Sequence, residues 1–316
     1  MGRRRRALLL GLVFLCAPLA TTAPGQWPPA VVEWAPDGKV LISARGVLAR
    51  FDLDSDQQEL LDHSAASFAL SPDGHRLAVA GPNRLELRRY PDFQLLAVLA
   101  PSASASGQPD SGQPVDFYSL AWASPGSTLA AGTRAGHILL WDVESRELWG
   151  DLALQPPSLV TRLVFSADGR RLLSAFEDGR AVLWDIARRQ VQHRFDLRPT
   201  PPGQPGADTQ TTVAAFSPDG RYILATQVGD AEAHLVLLDL EGRVEWRRRG
   251  YGMEFTRAGE ALLALTPPFR IAVLYRTSDA QALRVFEPPE AVRVLYLVRL
   301  SPDEKFLLGV GEDYRG

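Results

Sequence analysis

Side chains that could ionise, ligate or attack are spread along the chain. Its five histidines, His63, His75, His137, His193 and His234, never show the His-Glu-x-x-His spacing that puts two imidazoles on one metal. His75 and His137 follow turn glycines, so exposed positions are expected for them, and His63 and His193 fall near outer-strand positions. There is no Gly-x-Ser-x-Gly elbow and no glycine-rich phosphate loop. Arg247-Arg248-Arg249 reads as a solvated strand edge rather than an anion site. Asp and Glu together number 37, but their spacing does not pair them for acid–base work. No catalytic, metal or cofactor-binding residue is therefore assigned, and no cofactor is expected.

The one cysteine, Cys16, lies in a distinct N-terminal stretch. Arg3 to Arg6 form a positive patch, Ala7 to Ala20 is nearly all apolar, and Thr21, Thr22 and Ala23 are small. That is the layout of a secretory signal peptide over residues 1–23. The apolar run falls short of the about 20 residues that a spanning helix needs. Lipid attachment at Cys16 is not expected, because Leu15 precedes it where a small residue is wanted. Arg4-Arg5 faintly resembles a twin-arginine signal, though a plain positive patch explains the same residues. The expected protein is thus exported, periplasmic or extracellular, with no transmembrane span and no thiol after residue 23. Without thiols it has no disulfide, Cys-ligated zinc, iron–sulfur cluster or covalently attached haem. All four arginines of the patch would leave with the leader, making the rest more acidic than the formal net charge of −3. An acidic chain argues against a nucleic-acid partner.

The elements that must position any site come from a repeat. Leu163 to Gln190 reads as three short strands separated by Ala167-Asp168-Gly169 and Glu177-Asp178-Gly179. Asp-Gly between apolar runs marks a tight turn, because glycine enters positive φ without steric cost. The same kind of turn recurs at Pro36-Asp37-Gly38, Pro72-Asp73-Gly74, Ser124-Pro125-Gly126 and Pro218-Asp219-Gly220. Weaker versions end at Gly259 and Glu304. About fifteen residues after each turn, a third strand closes on Phe51-Asp52, Trp141-Asp142, Trp184-Asp185 or Leu238-Asp239. The second and sixth copies have degenerated to Arg88-Arg89-Tyr90 and Leu274-Tyr275-Arg276.

With a repeat of about 40–45 residues, these seven copies resemble the WD-repeat family of β-propellers, in a secreted bacterial form. The resemblance covers Val31 to Gly316 and implies an all-β fold, a seven-bladed ring of four-stranded antiparallel sheets in one domain over residues 24–316. A single such sheet cannot bury both faces, whereas sheets stacked round a ring can. The family often ties each blade with a buried chain of His, Ser or Thr, Asp and Trp. The fourth copy has Ser174, Asp178 and Trp184 but Pro156-Pro157-Ser158 in place of the His, and the third keeps Trp141 with Ala135 in place of the Asp. Apolar packing is therefore expected to matter more than that network, and Trp141, Asp142, Trp184 and Asp185 are read as structural.

Residues 101–116 and 198–211, rich in Pro, Gly, Ser and Gln, read as flexible insertions between blades, both on one face of the ring. The seventh copy stops after two strands, read as a fragment or else a half-built blade with an exposed edge. Turns nearest the channel are expected to carry Arg45, Arg134, Glu177 and Asp230, offered as a rim that touches a partner. The expected function is a non-catalytic, extracytoplasmic scaffold for a protein partner. Two alternatives stand beside it: a periplasmic propeller enzyme or cofactor-binding protein with an axial site, and an envelope-assembly component resembling the Tol–Pal propeller. The Trp-Asp strand endings argue against the last.

Overall fold

The structure, a computed structural model, describes residues 11–15, 31–44, 46–55, 57–81, 83–99, 115–197, 210–228, 233–266, 271–288 and 292–313. Most of both expected insertions, and the rim residues Arg45 and Asp230, lie outside the described residues. Every regular element in the described residues is a β-strand. Six four-stranded antiparallel sheets form blades 1 to 6, over residues 31–62, 67–98, 117–153, 160–196, 210–249 and 251–286. In each, the strands follow chain order from the axis outward.

The seventh sheet is smaller than the other six, its last copy giving two strands as the sequence suggests. Val292–Leu300 and Phe306–Asp313 pair antiparallel as in the other blades, but the third strand is Gly11–Leu15, running parallel to the second from Gly11 opposite Phe306 to Leu15 opposite Val310. Part of the stretch read as a leader thus lies along this sheet.

Blade 4 shows why the repeat folds as it does. Its strands are Val160–Phe165, Arg171–Phe176, Arg180–Asp185 and Gln190–Asp196. The first turn closes through Ser166: its hydroxyl donates to Asp168 Oδ1 at 2.6 Å and accepts from Arg171 N at 3.0 Å. Ser217 with Asp219 and Ser301 with Asp303 repeat the arrangement. Gly169 sits at φ 67°, and a β-carbon there would lie 2.6 Å from the carbonyl oxygen of Ser124 in the blade-3 turn. At Gly74 a β-carbon would run into Pro36 of the blade-1 turn. Each of these turns nests against the one before it, so glycine is required by neighbour as well as by backbone.

The aspartates that close the third strands hold the next turn. Asp142 accepts from Ser145 N at 2.8 Å, and Asp185 from Arg188 N at 2.9 Å and Arg188 Nη1 at 2.6 Å. Asp239 and Asp52 accept backbone N–H groups in the same place.

Apolar side chains fill the gaps between blades. Leu87, Leu99, Trp122, Leu129 and Trp141 join blades 2 and 3, and Ile138, Val160, Leu172, Phe176 and Trp184 join blades 3 and 4. The seventh sheet packs on blade 6 through Leu295 and Leu307 and on blade 1 through Leu308, which closes the ring.

The polar tie of blade 4 is partial. Trp184 Nε1 donates to the buried Ser174 Oγ at 2.8 Å, whereas Asp178 accepts from Arg180 N and Nε at the surface and stays outside that pair. In blade 3 the equivalent of Ser174 is Ala131, and the fully buried Trp141 has no partner for its Nε1. A buried N–H left unpaired costs about 1–3 kcal/mol. Ser174→Ala is therefore expected to destabilise the fold by about that much, and Ala131→Ser to stabilise it by supplying Trp141 with an acceptor. Denaturant unfolding of the two variants checks both signs; equal midpoints would show that neither indole needs its partner.

Candidate functional site: the charged axial channel

The innermost strands alternate, one side chain into the gap between blades and the next towards the axis. Aligned on the first turn, the axial position five residues before its final residue holds Glu33, Ala69, Ala121, Val164, Ala215, Glu254 and Arg299. Two residues earlier, blade 4 contributes Arg162. Small residues on blades 2 to 5 leave room at the axis, and charged ones come from blades 1, 4 and 6 and the seventh sheet. Together they line a cavity of about 450 Å³ that reaches Pro72, Pro218 and Arg257 on the face of the first turns. A recess of about 480 Å³ between blade 1 and the seventh sheet shares Glu33, Glu254 and Arg299.

The four charges are unequally satisfied. Glu254 is held by Arg299 Nη1 at 3.3 Å and by the backbone N–H of Leu300. Glu33 accepts from Leu70 N at 2.8 Å and has no ion-pair partner among the described residues. The Arg162 side chain has no hydrogen bond or ion pair among the described residues, and its buried Nε, like that of Arg299, has no acceptor. Enclosure by the strands raises the Glu33 carboxyl above its ordinary range, against the opposing pull of the Leu70 N–H and of Arg299 and Arg162. Burial likewise raises Glu254. Arg162 is pushed down to about 10 by burial and then by the charge of Arg299, so it stays protonated at neutral pH. Such clustered, shifted carboxyls are what the axial-site alternative required. Acid–base chemistry and ligand capture both lie within their reach.

The partner rim expected from the sequence lies at the other mouth. Arg134 and Glu177 are exposed on the second-to-third-strand turns of blades 3 and 4, and both act on the hydroxyl of Tyr118, which also lines the cavity. Arg134 Nε stands 3.4 Å from Asp116, and its backbone N–H donates to Asp116 O at 2.9 Å. Glu177 is anchored by its N–H to Leu159 O at 3.0 Å.

The histidines stay apart. His137, expected at the surface, is instead partly buried, with Nδ1 3.0 Å from both carboxylate oxygens of Asp151, and that bond raises its pKa. His193 packs on the ring of Phe195, and His75 is exposed. No group of three or more His, Cys, Asp or Glu among the described residues is placed to hold a metal ion. Arg247, Arg248 and Arg249 are exposed on the outer strand of blade 5.

Sequence reasoning missed Glu33, Arg162, Glu254 and Arg299. Reading the axial position across the copies would have found three of them, as charges where other copies have alanine or valine. Because the folded state raises the Glu33 carboxyl, its contribution to stability is fully present below the unfolded value and lost as pH rises through the folded one. Glu33→Gln keeps an acceptor for Leu70 N without that ionisation. The variant is expected to be more stable than the parent at pH 7.5 and equal to it near pH 4. Unfolding midpoints at the two pH values check this, and a variant less stable at pH 7.5 would refute it.

Comparison with known proteins agrees with the geometry. The family model for the WD domain, G-beta repeat, matches residues 154–185, the span of the blade-4 turn and Trp-Asp strand. No curated protein sequence matches the chain. Among solved structures, a chain of the Kuenenia stuttgartiensis hydrazine synthase is similar with a TM-score of 0.66 at 14% identity, covering 92% of this chain and 95% of that one. At that identity the likeness concerns the fold. With the family's repeat in blade 4, its turns recurring through the other copies and the sheets ranged round one axis, the chain is a WD-repeat β-propeller.

Proposed function

We propose that the protein is an exported binding scaffold, acting in the periplasm or outside the cell, that offers one face of a seven-bladed ring to a protein partner. The smaller sheet serves as the seventh blade, and residues 1–23 serve as the export leader. The observation that carries this reading is the rim at the second-to-third-strand face. Arg134 and Glu177, of opposite charge and on adjacent blades, stand exposed on turns whose backbones are fixed by hydrogen bonds to Asp116 and Leu159. Charges presented on rigid supports favour register and specific encounter with a complementary surface. The connections holding residues 101–116 and 198–211 leave the blades on this same face and would widen the contact. The Arg-rich, apolar, then small-residue order at the N-terminus supports the export step.

Cross-linking the full chain in the envelope fraction of its source cells is expected to capture a protein partner. Exchanging the two charges, Arg134→Glu with Glu177→Lys, should lower the yield about tenfold at low salt while leaving the unfolding midpoint unchanged. Capture indifferent to the exchange, or turnover of a substrate by the purified chain alone, would count against a scaffold.

A further inference from the structure

The opposite mouth of the channel carries a separate binding feature, independent of the rim just described. Arg162 is a cation enclosed by the inner strands, directed into a cavity of about 450 Å³ and matched by no acceptor among the described residues. Only the charges of Glu33 and Glu254 across the cavity offset that enclosure, and no hydrogen bond does. Arg299, beside it, is half-used: Nη1 holds Glu254 while Nε is free. Two guanidinium edges therefore converge on one space, and a planar carboxylate answers their donors two at a time.

The rest of the lining narrows the ligand. Glu33 and Glu254 face the same cavity, so an anion with two charges meets about twice the repulsion of a singly charged one. The other axial positions, Ala69, Ala121, Val164 and Ala215, are small and apolar. A volume of this size suits a small organic molecule, apolar except for a few fixed polar contacts. We propose that the axial channel is a binding site for a small monocarboxylate with an apolar body, its carboxylate gripped by Arg162 and Arg299.

Calorimetric titration of the full chain with benzoate, propionate, inorganic phosphate and propylamine tests the assignment, with the thermal midpoint followed in parallel. Benzoate and propionate should bind saturably and raise the midpoint. Phosphate should bind at least about tenfold more weakly, the size of effect expected from one unfavourable charge contact, and propylamine should not bind. Arg162→Gln should abolish carboxylate binding while the ligand-free protein becomes no less stable. A purely structural arginine would not give that split. Arg162→Lys, which keeps the charge and loses the fork, should retain weakened binding, and Arg248→Gln, on the exposed outer strand of blade 5, should bind as the parent does. The proposal is overturned if neither carboxylate binds up to about 10 mM, if phosphate binds as well as they do, or if folded Arg162→Gln binds unchanged.

Discussion

Face-to-face contact between neighbouring sheets is the constraint on which the rest of this structure depends. Leu129 and Trp141 of blade 3 are fully buried against blade 2, while Ile138 and Leu140 of the same blade are buried against blade 4. A sheet apolar on both faces has no stable state alone, and only a closed series of neighbours hides them all. The seventh sheet bears this out at its two flanks, through Leu307 towards blade 6 and Leu308 towards blade 1, adjacent residues pointing opposite ways. Closure requires that both flanks be met, whatever the number of strands behind them.

Against that apolar background, polar groups carry local rather than global duties. The Trp-Asp carboxylates hold turns, the turn serines and aspartates satisfy one another, and Trp184 finds Ser174. None of these ties spans more than a blade and its neighbour. Blade 3 tolerates an unpaired Trp141 Nε1 because its indole still fills the gap to blade 2. Dispersion and burial thus hold a blade together even where a hydrogen bond is missing.

The fold was legible in the sequence because its punctuation is local. Pro-Asp-Gly at 72–74 and 218–220, with apolar runs on either side, announces hairpins from neighbours in the chain. Blade 4 forms its strands where that pattern puts them. The axial site was hidden for the opposite reason. Glu33 and Arg299 meet at the axis from opposite ends of the chain, and each supplies one residue to a strand whose other positions serve packing. Only superposition of the copies exposes such residues. The His137–Asp151 pair escaped because it joins a third strand to an outer one, a relation set by register and not by the turn glycine before His137.

The nesting of several first turns on their predecessors makes the two sides of the wheel unequal in what they can absorb. Where Gly74 leans on Pro36 and Gly169 on Ser124, even one added carbon collides, so that side is locked to a fixed size. Both long Pro- and Gly-rich connections leave the blades on the reverse side. New contacts with the surroundings can accumulate there without disturbing the seam.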